Sequence, residues 1–269
     1  MNQQVTLPRE VLLPGGTTNA GRVSRVGDTV RRPDRPAGSA TRAVLAHLER
    51  VGFDGAPRCL GIDNQDREVL TYVPGRAPIA PTPAWALTDD ALVSVAELLR
   101  RYHDAVESFD PAGLRFDHTV PARFRGPHPL IAHNDPNLDN IIFRDGRAVA
   151  LIDFDLAAPA SRAWDLACAA RLWVPLRETV DAPPEVRDRL LARLALFADA
   201  YGASAAERRA LVKAVAECHR WCYAIVRAAV AEGHGEFNRQ WRGGGRGRAE
   251  RTGRWLASRG AEMRAALGV

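Results

Sequence analysis

Residues 133–153 concentrate the side chains of this chain that could do chemistry. Asp135 and Asn140 lie five residues apart in a polar loop, and a hairpin pattern follows them. Ile141-Ile142-Phe143 reads as a short apolar strand, Asp145-Gly146 as a two-residue turn, and 148–152 as the return strand. A turn at 145–146 sets Asn140 opposite Leu151, so Asp153 emerges about two residues further on along the neighbouring strand. Paired strands lie about 5 Å apart and advance about 3.4 Å per residue, so these two side chains can converge on one ion. Phosphoryl transfer needs one carboxylate to orient a hydroxyl and accept its proton. It also needs an amide and a second carboxylate to hold magnesium against the phosphates. Asp135, Asn140 and Asp153 supply that set.

The elements that must position these residues are bounded by size and composition. A chain of 269 residues can bury a large core, as one bilobal unit or two small domains. A hydrophobic content of 46% and a charged content of 26% are those of a soluble globular protein, and no apolar run approaches a membrane span. The N-terminus lacks the basic-then-apolar plan of a signal peptide, which points to the cytoplasm. The scattered cysteines Cys59, Cys168, Cys218 and Cys222 fit a reducing compartment. Cys218-His219 and Cys222 invite a metal reading, but they lie one turn apart in an apolar helix with no second ligand pair, so packed thiols are expected. The net charge of +5 suits an acidic cofactor such as a nucleotide, or simple solubility. Lys213 is the only lysine, which limits the residues that can hold a phosphate.

Residues 10–13, 21–26 and 29–32 read as strands, with turns at 14–19 and at Gly27-Asp28. After a linker at 33–38, Ser39 is a candidate N-cap for a helix to about residue 51, ended by Gly52. Residues 58–62 and 67–73 alternate as a hairpin, and the proline-rich 74–83 reads as a connector. Beyond it the pattern is helical apart from the 141–152 hairpin. Thr88 caps a helix to about residue 109, with Leu92, Val95, Leu99, Tyr102 and His103 on one face. Further helices span 163–172, 184–201 and 204–231, with Gly202 as a stop and Ser204 as a cap. The glycine–arginine run at 243–248 is a solvated turn between helices.

A strand-rich first lobe, a proline-containing hinge and a helical lobe with this motif resemble the aminoglycoside phosphotransferase and protein-kinase-like fold. The motif residues are His133-Asn134-Asp135, Asn140, Leu151-Ile152-Asp153 and Asp165-Leu166-Ala167. The match is to the general phosphotransferase enzyme family of small-molecule kinases, with a fainter likeness to proteins grouped with trifolitoxin immunity. The resemblance implies an α+β, bilobal fold. Residues 1–73 would form a nucleotide-binding lobe of small antiparallel sheet plus one helix, and 74–269 a mainly helical catalytic and acceptor-binding lobe. It implies Asp135 as catalytic carboxylate, Asn140 and Asp153 as magnesium ligands, His133 as an architectural residue, and Asp165 as a buttress of the catalytic loop. Asp139 and Asp155 would be either lures for a cationic acceptor or solvated surface.

The first lobe departs from the family pattern. Val30 is followed by Arg31 and Arg32 where a phosphate-holding lysine is expected. Arg31 takes the position directly after Val30, and alternation sends Arg32 to the opposite face. A guanidinium can hold phosphate oxygens bidentately. The acid expected on the following helix is absent, because its only glutamate, Glu49, comes at the end. Gly15 and Gly16 form the expected glycine loop, and Thr71 and Val73 occupy the hinge position that would meet the purine. The implied activity is transfer of the terminal phosphoryl group of ATP or GTP, with Mg2+, to a hydroxyl of an antibiotic or metabolite. Resistance, biosynthetic and housekeeping roles all fit. Two alternatives stand beside it: a non-catalytic nucleotide- or peptide-binding immunity or maturation partner, and a kinase of a natural-product peptide. Nucleic-acid and membrane partners are not expected.

Overall fold

The structure is a computed structural model that describes residues 9–14 and 21–269. Its first part holds the strands β1 (Glu10–Leu12), β2 (Ser24–Val26) and β3 (Thr29–Pro33), the helix α1 (Gly38–Arg50), and the strands β4 (Cys59–Ile62) and β5 (Arg67–Thr71). The strands form one antiparallel sheet in the order β1-β2-β3-β5-β4. Helix α1 buries Val44, Leu45 and Leu48 in a core shared with Leu70 of β5. It begins one residue before the expected cap: Gly38 N–H bonds to Arg35 O, Ala37 takes the cap position, and Ser39 falls inside the first turn.

The connector after β5 is fastened to the second part. Arg76 and Phe143 exchange both backbone hydrogen bonds, at 2.9 and 2.8 Å. Gly75 adopts φ +146°, and a Cβ there would drive into Ile142 and the Phe143 carbonyl. Only glycine accepts both the conformation and the approach.

The second part contains α2 (Asp89–Val106), β6 (Leu130–Ala132), β7 (Ile141–Arg144), β8 (Arg147–Leu151), β9 (Ala158–Ala160) and α3 (Arg162–Trp173). Then follow α4 (Leu190–Tyr201), α5 (Ala205–Ala231), α6 (Gly235–Gln240), α7 (Arg246–Ser258) and α8 (Gly260–Leu267). Thr88 caps α2, and Ser204 with Glu207 forms a reciprocal capping box on α5. Helix α4 starts six residues later than its apolar pattern suggested, because Pro183 and Pro184 are followed by a single 3-10 turn at Arg187–Arg189. The glycine run near 243 is a kink between α6 and α7, with Gly244 at φ +93°. The β6–β9 pair was not anticipated, since two three-residue strands carry no alternation to read. One apolar core joins α1, α2, β6, β7, α3, α4 and α5, so the sheet and the helices are packed together.

Candidate active site

The β7–β8 hairpin sets the geometry. Ile141 pairs with Leu151 and Ile142 with Ala150, but Phe143 pairs with Ala148, so a bulge shifts the register. Asn140 therefore lies opposite Ile152, whose N–H donates to Asn140 O at 2.9 Å, and not opposite Leu151 as a regular hairpin would place it. The extra residue carries Asp153 one step closer to Asn140. Asp153 itself takes the left-handed conformation, φ 62°, at the start of the short turn Phe154–Leu156. Aspartate tolerates that region better than most side chains, yet it is a strained position of the kind that clusters at working sites.

Asp135 and Asn140 are joined directly. Asn140 Nδ2 donates to Asp135 O at 3.0 Å and to Asp135 Oδ2 at 2.9 Å. Burial pushes the Asp135 carboxyl up to about 8, and the charge of Asp153 adds to this while Arg171 opposes it. His133 is buried and neutral: burial lowers it, Nε2 donates to Ile152 O at 3.1 Å, and Nδ1 accepts from Asp135 N–H at 3.3 Å. Both nitrogens hold backbone, which is the architectural part expected of it.

Beneath the loop, Asp165 accepts from the N–H groups of His133 and Asn134, each at 2.8 Å. Burial pushes this carboxyl up, but the hydrogen bond and charge of His103, with His133, hold it below the ordinary range. His103 Nε2 lies 2.9 Å from Asp165 Oδ2, and its Nδ1 lies 2.7 Å from the Tyr201 hydroxyl. In the sequence His103 is one more residue on the inward face of α2, and its polar partners come from α3 and α4. Trp173 Nε1 donates to Pro136 O at 2.9 Å and fixes the loop from the other side.

The arginine facing the site is Arg32, which corrects the assignment to Arg31. Val30 packs inward against the core, and strand alternation gives its face to Arg32, two residues on, while the residue directly after it points away. Arg31 bonds Thr29 Oγ1 at 2.6 Å and pairs with Asp63 at 3.4 Å on the far face. Arg32 is 5% exposed and reaches across to the helical half, with Nη1 at 3.1 Å from Asp153 Oδ1 and 2.7 Å from Asp155 Oδ1. Its Nε meets Glu68 Oε2 at 2.5 Å. Glu68, directly opposite Arg32 on β5, thus supplies the acid that the helix lacks. Glu49 instead faces Arg58 at the surface. Asp155 is neither lure nor free surface, because Arg35 holds it as well, at 2.9 Å. Burial, then the charge of Asp153, pushes Asp155 up to about 6.

The remaining expected residues are placed unevenly. Gly15 and Gly16 lie outside the described residues. Thr71 ends β5 and accepts from Arg58 N–H at 2.8 Å, and Val73 lies just before the connector. Both therefore stand at the junction between the sheet and the helical half.

The donor set fits magnesium. Asn140 commits its amide nitrogen to Asp135, which leaves Oδ1 as a hard oxygen donor, and the Asp153 carboxylate already faces a cation in Arg32. Among the described residues no three acidic, histidine or cysteine side chains form a closed metal cage. Magnesium needs none, since it is commonly held by one or two protein oxygens with water and substrate phosphates.

The sheet and the helical half together form a kinase-like fold. The phosphotransferase enzyme family pattern matches residues 114–211, the stretch that carries Asp135, Asn140, Asp153 and Asp165. The trifolitoxin immunity protein of Rhizobium leguminosarum bv. trifolii is 34% identical over 169 residues. That alignment takes in 61% of this chain and 61% of the relative's length. Among solved structures, a choline/ethanolamine kinase family protein from Mesorhizobium loti superposes with a TM-score of 0.64 at 19% identity, covering 96% of this chain and 92% of that one. The GDP complex of aminoglycoside 2'-phosphotransferase-IIIa gives 0.58 at 14% identity, over 96% and 94%. At such identities these structures establish the fold. No helix among the described residues is long and apolar enough to cross a membrane.

Proposed function

We propose that the protein is a magnesium- and nucleotide-dependent kinase of a small hydroxylated molecule. The observation that carries this reading is the Asn140 amide bonded to both Asp135 O and Asp135 Oδ2, with Asp153 following Ile152, the cross-strand neighbour of Asn140 in the bulged hairpin. Residues 1–73 bind ATP or GTP, with Gly15, Gly16, Thr71 and Val73 around the nucleotide, and residues 74–269 hold the catalytic loop and the acceptor. Asp135 orients the acceptor hydroxyl and takes its proton as the new bond to phosphorus forms. Its raised affinity for protons suits it to that task near neutral pH. Asn140 and Asp153 would hold magnesium, which supplies charge neutralisation at the β- and γ-phosphates. Arg32, in place of the usual lysine, exchanges its carboxylate partners for phosphate oxygens, and Glu68 keeps it aimed. Asp165, His103 and Trp173 keep the loop rigid, so catalysis is positioning and electrostatic stabilisation with no covalent enzyme intermediate.

The test is Asp135→Ala. Phosphoryl transfer should fall by at least about 10³-fold while nucleotide affinity stays within a few-fold, since the residue acts on the transition state. Retained turnover would remove Asp135 from the mechanism. The likeness to an immunity protein favours a second reading, a nucleotide-binding partner without turnover. Thermal stabilisation by ATP with magnesium, without ATP consumption on any acceptor, would select it.

A further inference from the structure

The helical half contains a cavity of about 160 Å³ at the C-terminal end of α3, bounded by α5 and α7. Arg171, Arg177 and Arg248 line it together with His219, Thr252 and Asp181. The one acid there is already neutralised, because Arg251 grips Asp181 through two hydrogen bonds of 2.7 Å. The three lining guanidiniums make no hydrogen bond or salt bridge among the described residues, and Arg171 Nε is buried without a partner. Arg177 feels the crowding: burial and the charges of Arg171 and Arg248 pull it down to about 10. His219 is kept neutral by burial, with Nε2 donating to Ala249 O at 2.8 Å and a buried, partnerless Nδ1. Three like charges around one hollow repel each other until a negative group enters. Guanidiniums are suited to carboxylate or phosphate, which they can hold bidentately.

The cavity and the loop that carries Asp135 share helix α3, whose Arg171 lines the one and whose Trp173 anchors the other. The Arg171 charge reaches Asp135, and Trp173, two residues further along α3, carries the hydrogen bond to Pro136 next to it. We propose that the cavity seats the carboxylate or phosphate of an anionic acceptor whose hydroxyl is thereby presented to Asp135. The inference rests on the kinase reading and gives it a substrate class: a hydroxy acid or a sugar phosphate, and not a cationic aminoglycoside. In the reaction the acceptor oxygen bonds to the terminal phosphorus and the bond to the nucleoside diphosphate breaks. The diphosphate leaves with the electron pair, and the hydroxyl proton passes to Asp135.

The experiment uses the full chain, Arg177→Gln and Arg248→Gln. Inorganic phosphate binding is measured by thermal shift at constant ionic strength. ATP turnover is measured with glucose 6-phosphate, glucose and glucosamine, and with glycerate, glycerol and ethanolamine. The expected result is a phosphate-dependent stabilisation that both variants lose. Turnover should be confined to the anionic member of a set, with acceptor KM raised about tenfold or more in each variant and nucleotide KM unchanged. Absence of phosphate binding overturns the proposal. So does turnover of neutral or cationic acceptors with KM unmoved by the variants. Arginine-dependent phosphate binding without turnover of any acceptor keeps the anion site and defeats the kinase reading instead.

Discussion

Replacing Arg32 by Met tests the reassignment of the phosphate-holding residue on stability as well as activity. Without the guanidinium, Glu68 is left 2% exposed without a hydrogen bond, its one remaining partner being Arg42, 3.9 Å from Oε1 and shared with Asp34. Asp155 keeps Arg35, and Asp153, with its side chain 36% exposed, keeps water. The loss is therefore dominated by one stranded buried charge, about 3–5 kcal/mol. For a chain of this size that lowers Tm by about 5–9 °C. Glu68→Leu should cost less, about 1–3 kcal/mol, because Arg32 retains Asp153 and Asp155. Arg32→Met combined with Glu68→Leu removes both buried charges and should recover most of the loss of Arg32→Met alone. Arg31→Met, which breaks a pair at 3.4 Å on the outer face, should cost no more than about 1 kcal/mol. Urea unfolding of the four variants measures the energies, and ATP consumption should fall about 10²-fold or more in both Arg32 variants and stay near wild type in Arg31→Met. A double variant as unstable as the sum of its singles, or an Arg31 effect matching that of Arg32, would refute the reasoning.

Three further outcomes follow from the same geometry. Asp135 is raised from an ordinary unfolded value near 4 to about 8, so its contribution to stability is complete below about pH 4 and is lost as pH rises to about 8. Asp135→Asn should therefore gain on wild type across that window and hold a constant advantage above it, read from Tm against pH. Asp165→Asn turns one of the two acceptor oxygens into a donor that must face the N–H of either His133 or Asn134, and should lower stability by about 3 kcal/mol in urea unfolding. Gly75→Ala forces a Cβ into the Phe143 carbonyl at φ +146°, and hydrogen exchange at the Arg76 and Phe143 amides should rise if that stitch holds the connector down.

The sheet, its inserted helix, the capped helices and the hairpin were legible because each carries a local signal: alternation, a 3.6-residue stripe, or a Thr or Ser cap. That Asp135 and Asn140 share one polar loop ahead of the hairpin was legible for the same reason, and the loop bonds them directly. The bulge was not, because Val149 continues the apolar strand without interruption and nothing local marks the shift. Choosing between Arg31 and Arg32 required knowing which face of β3 is covered, and Val30, which packs inward, was the available clue. Glu68, His103 and the cavity arginines join segments far apart in the chain, and no spacing rule reaches across such distances. The acid beside Arg32 comes from the strand opposite it and not from the helix that follows.

The guanidinium on β3 has a practical corollary. Amine-reactive nucleotide analogues, which tag kinases by acylating a lysine beside the triphosphate, would find no target amine in this cleft. The chain's single lysine, Lys213, is exposed on α5. If the cleft takes nucleotide as proposed, profiling by that chemistry would leave it unmarked.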